Sequence, residues 1–186
     1  VPKKEKMKNK AACPCYCLII ILVVSLVFTS CLKQNIVENE LQIIQNIDKT
    51  IHQWHDAAAQ ADFDTYFELM SDEAVFMGTD ATERWDKKAF QAYAKPHFDK
   101  GKAWTFKTIE RNIVVDSLQQ IAWFDELLDT SFKICRGSGV LKKQGNYWKI
   151  SHYVLSMTVP NENSKQVVAL KDVIETSFIQ KKSSKK

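Results

Sequence analysis

Surplus positive charge is missing from the body of this 186-residue chain, although the whole sequence carries a formal +4. Residues 1–30 contribute +4 through five lysines and one acid, and the closing KKSSKK contributes another +4, which leaves −4 for residues 31–180. A mildly acidic body with basic ends lacks the basic face that phosphate backbones require, so nucleic acid is excluded as a partner. Also absent are a glycine-rich phosphate loop, a Ser-His-Asp order and a paired-cysteine motif. No internal repeat is present. His52 and His55 stand three apart beside Asp56, but no third ligand accompanies them. They read as surface or partly buried histidines, and neither a metal nor another cofactor is expected.

Cysteine is scarce where it would count. Basic residues Lys3 to Lys10 precede an uncharged stretch, Ala11–Leu32, whose apolar heart is LIIILVVSLVF at 18–28. Basic n-region, apolar h-region and small residues Thr29-Ser30 make a secretory leader over 1–30. A start at Met7 would make that leader tighter. The Cys31 that follows resembles the lipobox of bacterial lipoproteins, where cleavage precedes a lipidated cysteine; Phe28 departs from the leucine usual three places earlier. The competing reading is an uncleaved anchor, since 22 uncharged residues can span a bilayer. Either reading puts the remainder outside the cytoplasm, at the membrane of the cell envelope. Cys13, Cys15 and Cys17 depart with the leader and Cys31 carries lipid. Cys135 is then alone, and an intramolecular disulfide is excluded.

What is present is a globular composition, 45% hydrophobic and 26% charged. After a tether at 31–36, apolar residues at 37, 41, 44, 47, 51, 54, 58 and 61 predict one long amphipathic helix. Asp62 is a candidate N-cap for a second helix, 63–70, and Asp86 for a third, ending near Phe98 with Pro96 in its last turn. AVFMG (74–78) reads as a short strand, with GTDATERW (78–85) as the loop after it. Residues 104–116, 119–128, 132–143 and 147–159 are rich in β-branched and aromatic residues and separated by hairpin-sized connections. Helices followed by a meander of strands make an α+β domain over 37–162. The extension 163–186 holds a short helical pattern (Leu170, Ile174, Phe178) and a lysine-rich tail.

This order of elements resembles the nuclear transport factor 2-like superfamily, and within it the SnoaL-like domains of small bacterial proteins. The resemblance is carried by Trp54–Ala57, Asp62–Tyr66, AVFMGTDATERW (74–85), AYAKPHFDKGKAW (92–104), AWFDE (122–126), CRGSGVL (135–141) and WKISHYVLSMTVPNE (148–162). It implies a cone-shaped α+β barrel, with N-terminal helices packed on a bent antiparallel sheet that encloses a pocket. Such domains include a ketosteroid isomerase, a dehydratase, polyketide cyclases and non-catalytic binding domains, so the fold alone does not decide the function.

Strand alternation supplies candidate site residues. One face of 119–128 carries Ala122, Phe124, Glu126 and Leu128, the other Trp123 and Asp125. With three-residue connections at QGN and around Ser131, Glu126, Arg136, Ser138 and His152 converge among Phe124, Val140, Ile150 and Val154. A slip of one residue would substitute Asp125. A few polar groups in an apolar concavity suit a small-molecule ligand: Arg136 to hold an oxygen, His152 to exchange a proton. A satisfied cross-sheet ion pair and a core histidine are the plain alternatives. In the implied fold GTDATERW crosses the pocket mouth, with Trp85 as a lid and Asp80 and Arg84 facing inward. The plain alternative makes Asp80 and Thr82 turn formers, and the same reading pairs Glu83 with Arg84 at the surface.

Three functions follow as expectations. The first is a lipid-anchored domain binding a small, mostly apolar, oxygen-bearing molecule. The second is an isomerase, cyclase or dehydratase using Asp80 or Glu126 with His152 and Arg136, although the isomerase's catalytic residues find no position-by-position match. The third is a homodimerising or partner-docking module that uses a sheet face around Trp123 and Tyr153.

Overall fold

A computed structural model describes residues 40–184; the expected leader, its candidate lipidation site Cys31 and the expected tether lie outside the described residues. Helix α1 covers 40–59, and its predicted stripe is the buried one: Ile47, Ile51, Trp54 and Ala58 are fully enclosed. It stops where Ala61 turns into the left-handed region (φ 57°) and the Asp62 N–H bonds back to the Ala57 carbonyl. Asp62 then caps α2 (Phe63–Glu68), accepting from the Thr65 N–H at 3.0 Å. Asp86 does the same for α3 (Lys87–Phe98) through the Ala89 N–H at 2.8 Å, and Pro96 is accommodated in the last turn. Each cap satisfies a backbone donor that has no partner inside its helix.

Six strands follow or interleave: β1 (Met70–Met77), β2 (Arg84–Asp86), β3 (Lys107–Val115), β4 (Ile121–Thr130), β5 (Lys133–Gln144) and β6 (Tyr147–Met157). They form one sheet in the order β2-β1-β6-β5-β4-β3. The fold is α+β, as expected, but the sheet is mixed rather than antiparallel, because β1 runs parallel to β6, and it is not closed into a barrel. Two local expectations are corrected. The segment expected to end α2 at 70 instead starts β1 at Met70, drawn in by its pairing with Ile150. The stretch read as a loop from 78 to 85 ends in β2, which pairs antiparallel with Val75–Met77. A three-residue strand is too short to show an alternation.

Register supplies the largest correction. The β4–β5 connection is the two-residue Ser131-Phe132, since Thr130 pairs with Lys133, and β5–β6 turns through Gly145-Asn146. Both loops are even-membered where odd ones were expected. A bulge at Ser151 then lets Val140 pair with His152 while Leu141 pairs with Ile150. Such a bulge adds one residue to one strand and reverses the facing of everything beyond it. The inner face is therefore Ala122, Phe124, Glu126 and Leu128 on β4, Cys135, Gly137, Gly139 and Leu141 on β5, and Ile150, Tyr153 and Leu155 on β6.

Beyond β6, a short 3₁₀ turn (Asn161–Asn163) leads into α4, Ser164–Ser183. This helix is much longer than the short pattern expected, and it buries no residue. Among the described residues no helix is long and apolar enough to cross a membrane.

Candidate functional site

Glu126 is the polar centre of the inner face, with its side chain fully enclosed. The Arg111 Nε and Nη2 groups donate to its Oε2 at 2.9 and 2.8 Å. Its Oε1 accepts from the Tyr153 hydroxyl at 2.9 Å and lies 2.8 Å from His55 Nε2. Arg111 reaches onward through Nη1 to Asp48 at 2.6 Å and through Nη2 to the Thr108 hydroxyl at 3.0 Å. Strand pairing builds the group: Arg111 is the cross-strand partner of Glu126 on one side and Gly137 on the other. Gly137 is required sterically, since a Cβ there would lie 2.2 Å from the Tyr153 hydroxyl and 2.9 Å from Glu126 Cγ. Burial pushes the Glu126 carboxyl up, but the hydrogen bonds and charges of His55 and Arg111 outweigh it and hold it below its ordinary value. Burial and the adjacent Glu126 carboxylate raise the Tyr153 phenol well above its usual range.

This cluster is not the expected foursome. Of that set only Glu126 keeps its place, together with its neighbour Phe124. Arg136, Ser138 and His152 fall on the opposite face of the sheet, where Arg136 and Ser138 are exposed and the Ser138 hydroxyl donates to the Phe124 carbonyl. The even-membered loops and the Ser151 bulge are the reason. Tyr153 is likewise corrected: it is a buried core residue and not part of an outer docking face, while Trp123 is exposed there. Arg111 and Asp48 escaped the sequence reading, while His55, expected at the surface or partly buried, is enclosed in the cluster. A signal existed for Arg111, which shares strand parity with the apolar Ile113 and Val115, and for Asp48 and His55, seven apart on one helix.

Beside the cluster, and separate from it, a cavity of about 150 Å³ opens between α3, the β1–β2 hairpin and the end of the sheet. Its inner wall is Phe76, Phe90 and Leu155, all buried. Trp85, Trp104 and Phe106 extend the wall, and Tyr93 and Phe132 stand at the open side. The rings support one another: Phe76 stacks on Phe90 at 4.0 Å and Trp85 on Tyr93 at 4.5 Å. Polar lining comes from Thr79, Ser131 and Glu83, with Gly78 beside them. Phe106, whose ring is 5.4 Å from His55, and Phe76, whose ring is 5.6 Å from Tyr153, stand between cavity and cluster. The hydroxyl of Tyr66 and the indole N–H of Trp104 are buried and find no hydrogen-bond partner among the described residues. Burial raises the Tyr66 phenol well above its usual range, with nearby Trp104 a smaller opposing influence.

The turn 78–83 resolves the roles expected of its residues. Trp85 does line the cavity. Asp80 is exposed and shapes its own turn, accepting from the Thr82 N–H at 2.8 Å and the Thr82 hydroxyl at 2.6 Å, which lowers its carboxyl. Arg84 is exposed, and the expected Glu83–Arg84 surface pair does not form among the described residues. Glu83 instead folds back over Gly78, with Oε2 accepting from the Asp80 N–H at 3.2 Å. His52 pairs with Asp56 at 3.4 Å on the surface, and among the described residues no His, Cys, Asp and Glu cluster can hold a metal.

Comparison with known proteins supplies the family. Residues 47–160 match the SnoaL-like domain family. An NTF2-like protein of unknown function from Pseudomonas putida is similar in structure, with 16% identity, 64% of this chain and 89% of that one covered, and a TM-score of 0.53. A protein of unknown function from Mycobacterium tuberculosis shares 15% identity over 68% of this chain and 78% of its own, with a TM-score of 0.55. The association domain of CaMKII from C. elegans shares 16% identity over 64% of this chain and 98% of its own, at 0.53. At these identities the likeness shows the fold, which is NTF2-like. No curated protein matches the chain.

Proposed function

The chain belongs to the SnoaL-like domain family, and from that premise we propose that it is a binding domain for one small, mostly apolar, oxygen-bearing molecule. The observation that carries this reading is the cavity of about 150 Å³ walled by aromatic rings, separate from the Glu126 ionic cluster. A cavity of about that size accommodates a molecule of benzene's bulk. Thr79 and Ser131 offer hydroxyls at its lining, which suits a ligand oxygen. We also propose display outside the cytoplasm on a lipid attached to Cys31, supported by the basic-apolar leader and the small residues before that cysteine.

Catalysis by the residues first expected has little behind it. A general base needs a free carboxylate near the reacting proton. Both oxygens of Glu126 are occupied and its carboxyl is held low, while Asp80 is engaged in its own turn. Of the carboxylates, Glu83 lies on the cavity wall, so any proton transfer there falls to Glu83.

The reading is tested by screening one-ring and smaller fragments, neutral and charged, against the isotope-labelled protein. Bound fragments should shift the indole N–H signals of Trp85 and Trp104. If bound fragments move other signals and leave both of these indoles in place, the cavity is not the site.

A further inference from the structure

We propose that the ligand of this cavity is a small alkylammonium cation, held against the aromatic walls with its charge facing the Glu83 carboxylate. This rests on the cavity being the binding site and goes beyond it by fixing the sign of the ligand's charge. Three observations carry it.

The first is the charge of the lining. It contains seven aromatic side chains and one carboxylate, and no lysine, arginine or histidine. Aromatic faces carry negative potential and attract a cation placed over them, tryptophan most strongly, and both Trp85 and Trp104 belong to this wall. A neutral apolar ligand would draw nothing from Glu83 and would strip water from an unpaired carboxylate, which is unfavourable. A cation reverses that sign.

The second is how Glu83 is held. Among the described residues no basic side chain pairs with it. Its carboxylate lies over Gly78, where an added Cβ would meet Oε2 at 2.1 Å, so the glycine makes room for the charge to lie against the wall. The single bond from the Asp80 N–H, at 3.2 Å, is a weak reason for that placement. The turn is already closed by two backbone bonds, Gly78 N–H to the Glu83 carbonyl and Glu83 N–H to the Asp80 carbonyl, and by Asp80 itself. Glu83 and Tyr93 both line the cavity, and burial together with the Glu83 charge raises the Tyr93 phenol.

The third is size. About 150 Å³ suits a trimethylammonium head, whose bulk is near that of a benzene-sized guest. The hydroxyls of Thr79 and Ser131 could receive a short polar arm.

The test compares choline with 3,3-dimethylbutan-1-ol, which has the same skeleton with carbon in place of nitrogen. Both are titrated against the full chain while the Trp85 and Trp104 indole signals are followed. Choline should bind at least roughly 10-fold more tightly than the alcohol, the combined effect of the aromatic faces and the Glu83 charge. In Glu83→Gln, which keeps an oxygen acceptor for the Asp80 N–H, the preference should fall to about 3-fold or less. Equal binding of the two, or tighter binding of the alcohol, overturns the cation inference and leaves the cavity reading standing. A preference unchanged in Glu83→Gln overturns the role given to Glu83. If neither probe moves either indole, the cation inference falls, and the fragment screen decides the cavity reading separately.

Discussion

Glu126 illustrates how much one buried carboxylate can organise. Its three partners, His55, Arg111 and Tyr153, come from α1, β3 and β6, so the group links the helix layer to the sheet across the inner face. Removing one member of a buried pair leaves the other charge uncompensated, which typically costs about 3–5 kcal/mol. Glu126→Gln should therefore destabilise the domain by roughly 3 kcal/mol in denaturant unfolding, the lower end because Asp48 still pairs with Arg111. Asp125→Asn, on the outer face, should cost under about 1 kcal/mol. Acid should act through the same group. A carboxyl held below its ordinary value adds stability above the unfolded range, near 4.3, and loses it as pH falls from there through the folded value. Stability measured from pH 7 to 3 should decline below about 4.5, and Glu126→Gln should flatten that decline. It should not abolish it, because Asp62, Glu73, Asp80 and Asp116 are also held low by their hydrogen bonds.

At the scale of elements, helices and strands differ in what holds them. α1 and α3 bury continuous stripes, and the last three strands make long ladders with their neighbours. α4 has neither: Leu170, Val173 and Ile174 are each at least 75% exposed, so its removal takes little apolar surface from the core. A chain trimmed to about residues 35–163 should then fold with a thermal midpoint within a few degrees of that of the chain from residue 32 onward. A loss of cooperativity on trimming would show that α4 docks on the domain in solution.

For the whole molecule, the decisive question is where the domain is displayed. The proposed acylation of Cys31 would tether it to a membrane surface. Cys31→Ala should abolish incorporation of a labelled fatty acid and leave an unprocessed precursor of higher mass. Undiminished label on the substituted protein would remove the lipid anchor from this account. The acidic body, −4 over residues 31–180, also suits the capture of a cation rather than an anion.

Several features were legible because their causes are local. The stripe of α1, the caps at Asp62 and Asp86, and the inward facing of Phe124 and Glu126 depend on residues within one or two turns or one strand. The words that carry the SnoaL-like resemblance were equally present in the chain. The rest depended on distances that local patterns do not encode. Whether Arg136 or Gly137 stands opposite Glu126 is decided by a loop of two residues instead of three, and whether His152 or Tyr153 points inward by one bulged residue at Ser151. Strand periodicity is two, so a single-residue change anywhere upstream reverses every later side chain. The partners of Glu126 come from positions 55, 111 and 153, and only the packing of α1 on the sheet brings them to one carboxylate. The placement of Glu83 was hidden for a related reason: a turn sequence shows which residues can close it, but the tertiary fold decides which carboxylate is left facing the cavity.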